Sequence, residues 1–350
     1  MLRLADRWIW DFWLADTGDS YHAYFLQAPR SLGDPQLRHR HASIGHATSD
    51  DLRRWTVRGD AVRPGAPGSW DDLATWTGSV IRSTGRWWMF YSAISTVEDG
   101  AVQRIGAATS TDLSSWTKHP SNPLIEADGR WYERADRHPT EAWRDPWLLA
   151  DPDGDGFHAL ITARANVGPV DGRGVIAHAS SPNLVDWEVH PPVTQPGEFG
   201  ELEVPQIVER DGRAWLVFSV GQRQVAARRL GRVGTSATSI YVCPGPSSVG
   251  PFDIERDARA ITADDRYSGR IVVDRADRAW LLAFVDRDAN GAFVGELADP
   301  TPFDFGDASI QGGSSPREAG ATPTGGPTTG AVSRVVGSST TESPSGSPAP

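Results

Sequence analysis

The sequence predicts an all-β protein, a five-bladed β-propeller that is followed by a disordered C-terminal tail. Three observations lead to this fold class: a repeated segment, five hairpin patterns, and the lack of any long stretch with the 3.6-residue hydrophobic period of a helix. The 350 residues also include 36 Gly and 26 Pro, as expected for a fold with many tight turns.

The repeated segment occurs in three clear copies that align without gaps. Each copy predicts a short strand, a Ser-x-x-Leu turn and then a tryptophan, and Trp55, Trp116 and Trp187 are predicted to pack between blades. Weaker copies at residues 241–254 and 294–305 raise the number of units to five. The clear copies are IGHATSDDLRRW (44–55), IGAATSTDLSSW (105–116) and IAHASSPNLVDW (176–187).

Five hairpin patterns separate these copies. In each pattern, two apolar strands surround a turn, and the repeated segment adds a third strand and an outer segment, which makes a four-stranded blade. Radial closure of five such blades protects their edges. A β-sandwich of similar strand count is the alternative, but the repeat period favours the propeller. The hairpins cover residues 11–27, 78–94, 145–163, 205–220 and 269–285.

The last 41 residues have a different composition. Gly, Ser, Thr and Pro supply 28 of the residues 310–350, and no aromatic residue occurs there. Such a segment buries too little apolar surface to offset the entropy that ordering costs. The sequence therefore predicts a propeller domain at residues 1–309 and a disordered tail at 310–350.

Charge and cysteine content narrow the functional classes. The net charge of −11 argues against a nucleic acid or an anionic membrane as the main partner, because both attract clustered Lys and Arg. A single cysteine, Cys243, excludes an internal disulfide and a cysteine-based zinc site. The N-terminal residues do not resemble a signal peptide, so the sequence predicts a cytoplasmic protein. The oligomeric state is left open.

Three carboxylates stand where inner strands of the predicted blades begin. In a propeller these strand starts surround one central funnel, so Asp11, Asp145 and Glu203 are expected to converge. A carboxylate that leads into an apolar strand is costly unless it is paired or used. A turn or cap role explains one such residue well, but explains three less well. Carboxylates among tryptophans suit the cleavage of a glycosidic bond, where aromatic faces stack on sugar rings.

At these residues the sequence resembles the five-bladed fructosidases of glycoside hydrolase families 32 and 68. The resemblance covers about residues 1–300, and its motifs occur in the expected order at the blade starts. Segment 44–55 is similar to a Gly-His-Ala-x-Ser-x-Asp-Leu-x-x-Trp element of family 32. The other motifs are Trp10–Trp13, similar to Trp-Asp-x-Trp of family 68; Trp76–Ser79, similar to Phe-Ser-Gly-Ser of family 32; Arg144–Pro146, the Arg-Asp-Pro of both families; and Glu203–Pro205, which resembles Glu-Cys-Pro of family 32.

The resemblance implies a retaining glycoside hydrolase that acts on β-fructofuranosyl linkages, as in sucrose or fructans, and that can also transfer fructosyl groups. It implies that Asp11 is the nucleophile, Glu203 the general acid/base and Asp145 the stabiliser of the transition state. In a retaining enzyme the first two carboxyl groups lie about 5–5.5 Å apart. The substrate is then a small carbohydrate, and neither an organic cofactor nor a metal is expected.

The remaining residues of the implied site are expected to bind substrate. Arg144 would help to keep both aspartates ionised. The fructosyl pocket would be lined by Trp10, Gln27 and Trp76, and Ser79 would donate to a sugar hydroxyl or to the nucleophile.

Two alternatives to this function stay open on sequence grounds. One is an inverting, arabinan- or xylan-active propeller of family 43, and the other is a carbohydrate-binding propeller without catalysis. A basic segment, residues 38–41, is interpreted as a solvated loop beside the funnel, with a metal or phosphate contact as its alternative.

Overall fold

The computed structural model describes residues 1–136, 139–234, 237–262 and 265–306. Within them the chain forms five antiparallel sheets, each built from strands that are consecutive in sequence. This confirms the five-bladed β-propeller. The predicted tail, residues 310–350, lies outside the described residues. No helix in the described ranges is long and apolar enough to cross a membrane.

The strands of each blade run from the inside to the outside of the ring. Blade 1 contains β1 (Arg7–Asp16), β2 (Tyr21–Pro29), β3 (Ser43–Ser49) and β4 (Thr56–Val62). Blade 2 contains β5 (Ala74–Ser83), β6 (Arg86–Ile94), β7 (Arg104–Ser110) and β8 (Thr117–Lys118). Blade 3 contains β9 (Trp143–Ala150), β10 (Phe157–Arg164), β11 (Gly174–Ser181) and β12 (Glu188–His190). Blade 4 contains β13 (Glu203–Arg210), β14 (Arg213–Val220), β15 (Ser239–Gly245) and β16 (Arg259–Ala260).

Blade 5 departs from this order and closes the ring. It contains β17 (Arg266–Val273), β18 (Ala279–Arg287), β19 (Phe293–Leu297) and β20 (Thr301–Pro302). Both β19 and β20 pair with β18, at different points along it. Leu2 exchanges two backbone hydrogen bonds of 3.0 Å with Leu297, so the first residues of the chain join the last blade. This contact holds the two ends of the propeller together.

The described helices are short and lie in the connections between strands. The α-helices are α1 (Ala227–Val233) and α2 (Ile254–Asp257), and the 3-10 helices are Arg30–Leu32, Pro35–Arg40, Val170–Gly172 and Gln222–Gln224. The second of these 3-10 helices, Pro35–Arg40, is called the rim helix below. It connects β2 to β3 at the end of blade 1 where β1 begins, because Pro29 pairs with Arg7.

The repeated segment performs the predicted task at the outside of the blades. In the second and third copies the Ser hydroxyl accepts the backbone amide of the Leu three residues later, at 2.8 Å for Leu113 and 2.9 Å for Leu184. The tryptophan that follows packs against an aromatic ring of the preceding blade. Trp116 meets Tyr24 with ring centroids 5.6 Å apart, and Trp187 meets Phe90 at 5.3 Å.

The hydrophobic cores lie between neighbouring blades. Trp13 and Tyr24 of blade 1 share a core with Met89 and Tyr91 of blade 2. Further cores join blade 2 to blade 3, blade 3 to blade 4, blade 4 to blade 5, and blade 5 to blade 1. Since every blade is packed on both sides, the inner strands are held in fixed positions around the funnel.

Every inner strand breaks its pairing with the second strand near the funnel. In these β-bulges one or two residues face no partner, which turns their side chains towards the axis. Three bulge residues, Asp145, Val204 and Ser268, have φ values of 58°, 55° and 52°, a region that costs energy for residues other than glycine. The unpaired residues are Asp11, Trp76–Thr77, Asp145–Pro146, Val204–Pro205 and Ser268–Gly269.

Candidate active site

The three predicted carboxylates meet at the bulges, and together they are called the carboxylate cluster. Asp11 accepts a 2.8 Å hydrogen bond from the hydroxyl of Thr77 in blade 2. Asp145 accepts from the hydroxyl of Thr162 at 3.0 Å and from the amide of Val204 at 3.2 Å. All three charges act on one another, since Asp11 and Glu203 each raise the pKa of Asp145. Residues far apart in sequence therefore form one charged site.

Although all three carboxylates stand near the starts of inner strands, they do not occupy equivalent positions in their blades. Asp11 and Asp145 lie in the bulges of their strands, where blade 4 has Val204. Glu203 lies one residue earlier, at the position that Arg144 has in blade 3. The longer glutamate side chain reaches the cluster from this outer position. Its side chain is 24% exposed, compared with 3% for Asp145.

Arg144 is the cation at the centre of the site. Its Nη2 atom donates to Glu201 and to Glu203, and its Nε atom lies 3.7 Å from Asp145 Oδ2. Glu201 in turn pairs with Arg164 at 3.2 Å. Glu201 is itself buried and pairs with the arginine. Arg144 thus fixes the orientation of Glu203.

Tyr267 is a partner of Glu203 that the sequence analysis did not identify. Its hydroxyl donates to Glu203 Oε2, while Arg144 donates to Oε1. Each oxygen of Glu203 therefore has its own donor, which restricts rotation of the carboxyl group. The signal in the sequence was weak, since Tyr267 is one of several aromatic residues at strand starts and only its hydroxyl pairs with the glutamate.

Burial controls the protonation of the two aspartates. Removal from water raises the pKa of Asp145 to about 7, and repulsion by Asp11 and Glu203 adds to this effect while Arg144 opposes it. Burial and repulsion by Glu203 likewise raise the pKa of Asp11, against the hydrogen bond from Thr77. Arg144 favours the ionised form of Asp145, as expected, but burial outweighs it and the pKa of Asp145 stays raised. Both aspartates are therefore protonated more readily than a free aspartate.

A second arginine, Arg270, lies beneath the cluster and was also missed. It is fully buried, and it donates to the carbonyls of Phe12 at 3.0 Å, Val204 at 2.9 Å and Pro205 at 2.8 Å. These bonds tie the inner strands of blades 1, 4 and 5 together at the bulge of blade 4 and next to that of blade 1. Burial lowers the pKa of Arg270 to about 10, and Asp11 and Asp145 oppose the shift. An arginine inside the apolar stretch GRIVV was the available signal.

The predicted substrate-binding residues have different surroundings. Trp76 is half-buried, and its Nε1 donates to the carbonyl of His39 at 2.7 Å. Trp10 is only 3% exposed and belongs to the core between blades 1 and 2. The amide of Gln27 donates to Asp60 within blade 1. The buried hydroxyl of Ser79 accepts the amide of Leu148 at 3.0 Å, so it connects blade 2 to blade 3 and not to the nucleophile.

The basic segment at residues 38–41 was interpreted as a solvated loop. This interpretation is wrong for Arg38, which is buried. Arg38 is 9% exposed, and its guanidinium lies 4.0 Å from the ring centre of Phe293 and 5.5 Å from that of Trp10. His39 is exposed, and its ring lies at the edge of Trp10 with centroids 6.1 Å apart. The rim helix thus places one arginine and one histidine beside the funnel.

Within the described ranges, no group of three or more His, Cys, Asp or Glu residues could hold a metal ion. The segment DPDGDG, residues 151–156, resembles the opening of a calcium loop but is predicted to be a hairpin turn, and it lies in the turn between β9 and β10. There the Asp151 side chain accepts the amide of Asp153 at 2.8 Å, as in an ordinary Asx turn.

Comparison with curated proteins shows a relative in a sugar-cleaving class. An "Extracellular sucrase" of Zymomonas mobilis subsp. mobilis is 25% identical over 293 residues, which cover 71% of this chain and 69% of that protein. The prediction of a cytoplasmic location is contradicted by this relative, whose name places it outside the cell. That prediction is withdrawn.

Solved structures share the fold at low sequence identity. The inulosucrase of Halalkalicoccus jeotgali bound to kestose has a TM-score of 0.66 and 22% identity, and the match covers 84% of this chain and 81% of that chain. The β-fructofuranosidase catalytic domain of Microbacterium saccharophilum K-1 has a TM-score of 0.67 and 19% identity, with coverage of 86% and 79%. These likenesses support the propeller architecture.

A family model decides the assignment. The model described as "Glycosyl hydrolases family 32 N-terminal domain" matches residues 13–290. This span includes Asp145 and Glu203 and begins just after Asp11. Because it covers most of the chain, the resemblance noted in the sequence is confirmed for this family. The chain belongs to glycosyl hydrolases family 32.

Proposed function

We propose that the protein cleaves β-fructofuranosyl linkages of small carbohydrates with retention of configuration, with Asp11 as nucleophile, Glu203 as general acid/base and Asp145 as stabiliser. The observation that carries the proposal is the convergence of the three carboxylates on inner strands of different blades. The name of the sucrase relative and the family membership support the substrate class. The family assignment leaves the family 43 alternative without support.

The different environments of the carboxylates suit these roles. The side chain of Glu203 is more exposed than that of Asp145, and a general acid/base must meet both the leaving group and the incoming water. Asp145 is buried, and its negative charge is close enough to that of Asp11 to be repelled by it. An oxygen of Asp145 can accept a hydrogen bond from a sugar hydroxyl as positive charge develops on the ring. A non-catalytic propeller would not need three mutually repelling carboxylates at one point.

The reaction then has two steps. A carboxylate oxygen of Asp11 attacks C2 of the fructosyl ring while Glu203 passes its proton to the departing oxygen, so that the C2–O bond breaks as the Asp11–C2 bond forms. Water then gives a proton to the Glu203 carboxylate and attacks C2, which releases Asp11. When a sugar hydroxyl replaces the water, the same step transfers the fructosyl group. The donors from Arg144 and Tyr267 stabilise the Glu203 carboxylate between the steps.

The test is incubation of the protein with sucrose, inulin and levan, followed by quantification of free fructose and of fructosylated products. We expect Asp11→Asn and Glu203→Gln each to reduce kcat by about a thousandfold or more. Asp151→Asn, in a turn at the far end of β9, is the matched control and should keep wild-type activity. If both active-site variants cleave fructosides at the wild-type rate, the assignment of roles is wrong.

Retention is tested separately from the substrate. In a reaction with methanol as acceptor, a retaining enzyme forms methyl β-fructofuranoside, which proton NMR distinguishes from the α-anomer. Formation of the α-anomer as the first product would contradict the double-displacement mechanism while leaving the substrate class intact.

A further inference from the structure

We propose that His39 on the rim helix is a specificity residue that recognises the group leaving from C2 of the fructosyl unit. The inference rests on the proposed function and adds a residue on the leaving-group side of the funnel. The rim helix lies at the end of blade 1 where the inner strand starts, so it borders the mouth above the carboxylate cluster. A group attached to a fructosyl ring held at Asp11 points towards this mouth.

The position of His39 is fixed by its backbone. Its carbonyl accepts the indole Nε1 of Trp76 at 2.7 Å, which anchors the rim helix of blade 1 to the inner strand of blade 2. Its ring meets Trp10 at an angle of 74°. The imidazole side chain takes no part in this anchor, so it is available for another contact.

The ring of His39 has no hydrogen-bond partner among the described residues, and in this it differs from the other described histidines. His22 bonds to His46, His158 to His178, and His190 to Ser180, while His41 bonds to the carbonyl of Leu37 and His119 accepts an amide. The fold therefore uses the other rings for its own structure. It leaves the imidazole of His39 exposed and unbonded beside the funnel.

The electrostatic surroundings keep this ring neutral. The surrounding protein removes part of the hydration that the charged ring would need, although solvent reaches the side chain. This desolvation and the positive charges of Arg38 and Arg144 lower the pKa of His39. A neutral imidazole has one nitrogen that donates and one that accepts. This pair matches a polyhydroxylated leaving group, whose hydroxyls both donate and accept, and offers nothing specific to an alkyl group.

The experiment compares two fructosyl donors that differ only in the leaving group. Sucrose presents hydroxyls beyond the scissile oxygen, and methyl β-fructofuranoside presents none. We expect His39→Ala to lower kcat/KM for sucrose about tenfold, as for the loss of one or two hydrogen bonds, and to leave the methyl fructoside within about twofold. His39→Asn, which keeps one donor and one acceptor, should recover part of the loss.

His41→Ala is the matched control, since this histidine ends the same helix and bonds to Leu37 of that helix. It should leave both donors unaffected. Thermal unfolding of each variant shows whether the rim helix is intact, which is expected for His39→Ala because the Trp76 bond uses the backbone.

The outcomes separate the two proposals. If wild-type protein cleaves neither donor, the proposed function fails and the role of His39 fails with it. If wild-type protein cleaves both, an equal loss on both donors in His39→Ala, or no loss on either, overturns the role of His39 alone. A loss confined to sucrose supports it.

Discussion

The hydroxyl of Thr162 offers the sharpest test of how burial sets the charge of the cluster. It is fully buried, donates to Asp145 Oδ2 at 3.0 Å and accepts the amide of Val204 at 3.2 Å. Thr162→Val keeps the shape of the side chain and removes both bonds. Since this hydrogen bond lowers the pKa of Asp145, which stands at about 7, its loss must raise that pKa further.

The size of the effect follows from the bond that is lost. A hydrogen bond to a charged group contributes about 1.5–3 kcal/mol, and about 1.4 kcal/mol corresponds to one pH unit. The acidic limb of the pH profile of kcat/KM should therefore move to higher pH by about one unit or more. The sign follows because the active form needs ionised Asp145, and the variant disfavours that form.

The assay measures kcat/KM on sucrose across the pH range, together with urea unfolding. Thr194→Val is the matched control, because Thr194 is also buried and accepts the amide of Ile176 at 2.9 Å, but does not contact the cluster. Both variants should lose about 1–2 kcal/mol of stability, and only Thr162→Val should move the limb. An acidic limb that stays in place or moves to lower pH in Thr162→Val would refute the reasoning.

Two further predictions concern stability. Arg270→Met removes the donor for the carbonyls of Phe12, Val204 and Pro205, and the free energy of unfolding should fall by about 3–5 kcal/mol in urea titrations. A loss below about 1 kcal/mol, the cost of an ordinary surface substitution, would show that other contacts tie the strands together. Burial lowers the pKa of His46 from 6.5 to about 4, so the contribution of this histidine to stability is complete above pH 6.5 and falls by about 3 kcal/mol as the pH drops to 4. His46→Gln should remove only this share of the acid decline, because His178 is shifted in the same way. An unchanged pH dependence would contradict the role of His46.

The blade structure was predictable because its signals are local. Strand alternation, turn residues and the Ser-x-x-Leu turn with its tryptophan all lie within about a dozen residues. The contacts that they imply, such as Trp116 against Tyr24, repeat from blade to blade. Closure through Leu2 and Leu297 was not predictable, since it joins the two ends of the fold by backbone groups that carry no side-chain signal.

The site was predictable in its carboxylates and less so in their supports. Asp11, Asp145 and Glu203 stand at strand starts, which any propeller brings to the funnel. The polar partners of Gln27 and Ser79 depend on which way a side chain turns beside a bulge, and both were expected to face the sugar. The role of Tyr267 was not predictable, because it depends on a glutamate that lies 64 positions away in the sequence.

By itself, the sequence determined the number of blades, the order of their strands and the three acids at the funnel, because repeats and periodicity are properties of neighbouring residues. Tertiary structure alone decided that Glu203 lies one position outside the bulge, that Arg270 spans 258 positions to reach Phe12, and that Arg38 is buried while His39 is free. Such features depend on the register between strands and on packing between blades, and one shifted residue in a bulge changes which side chain reaches the axis.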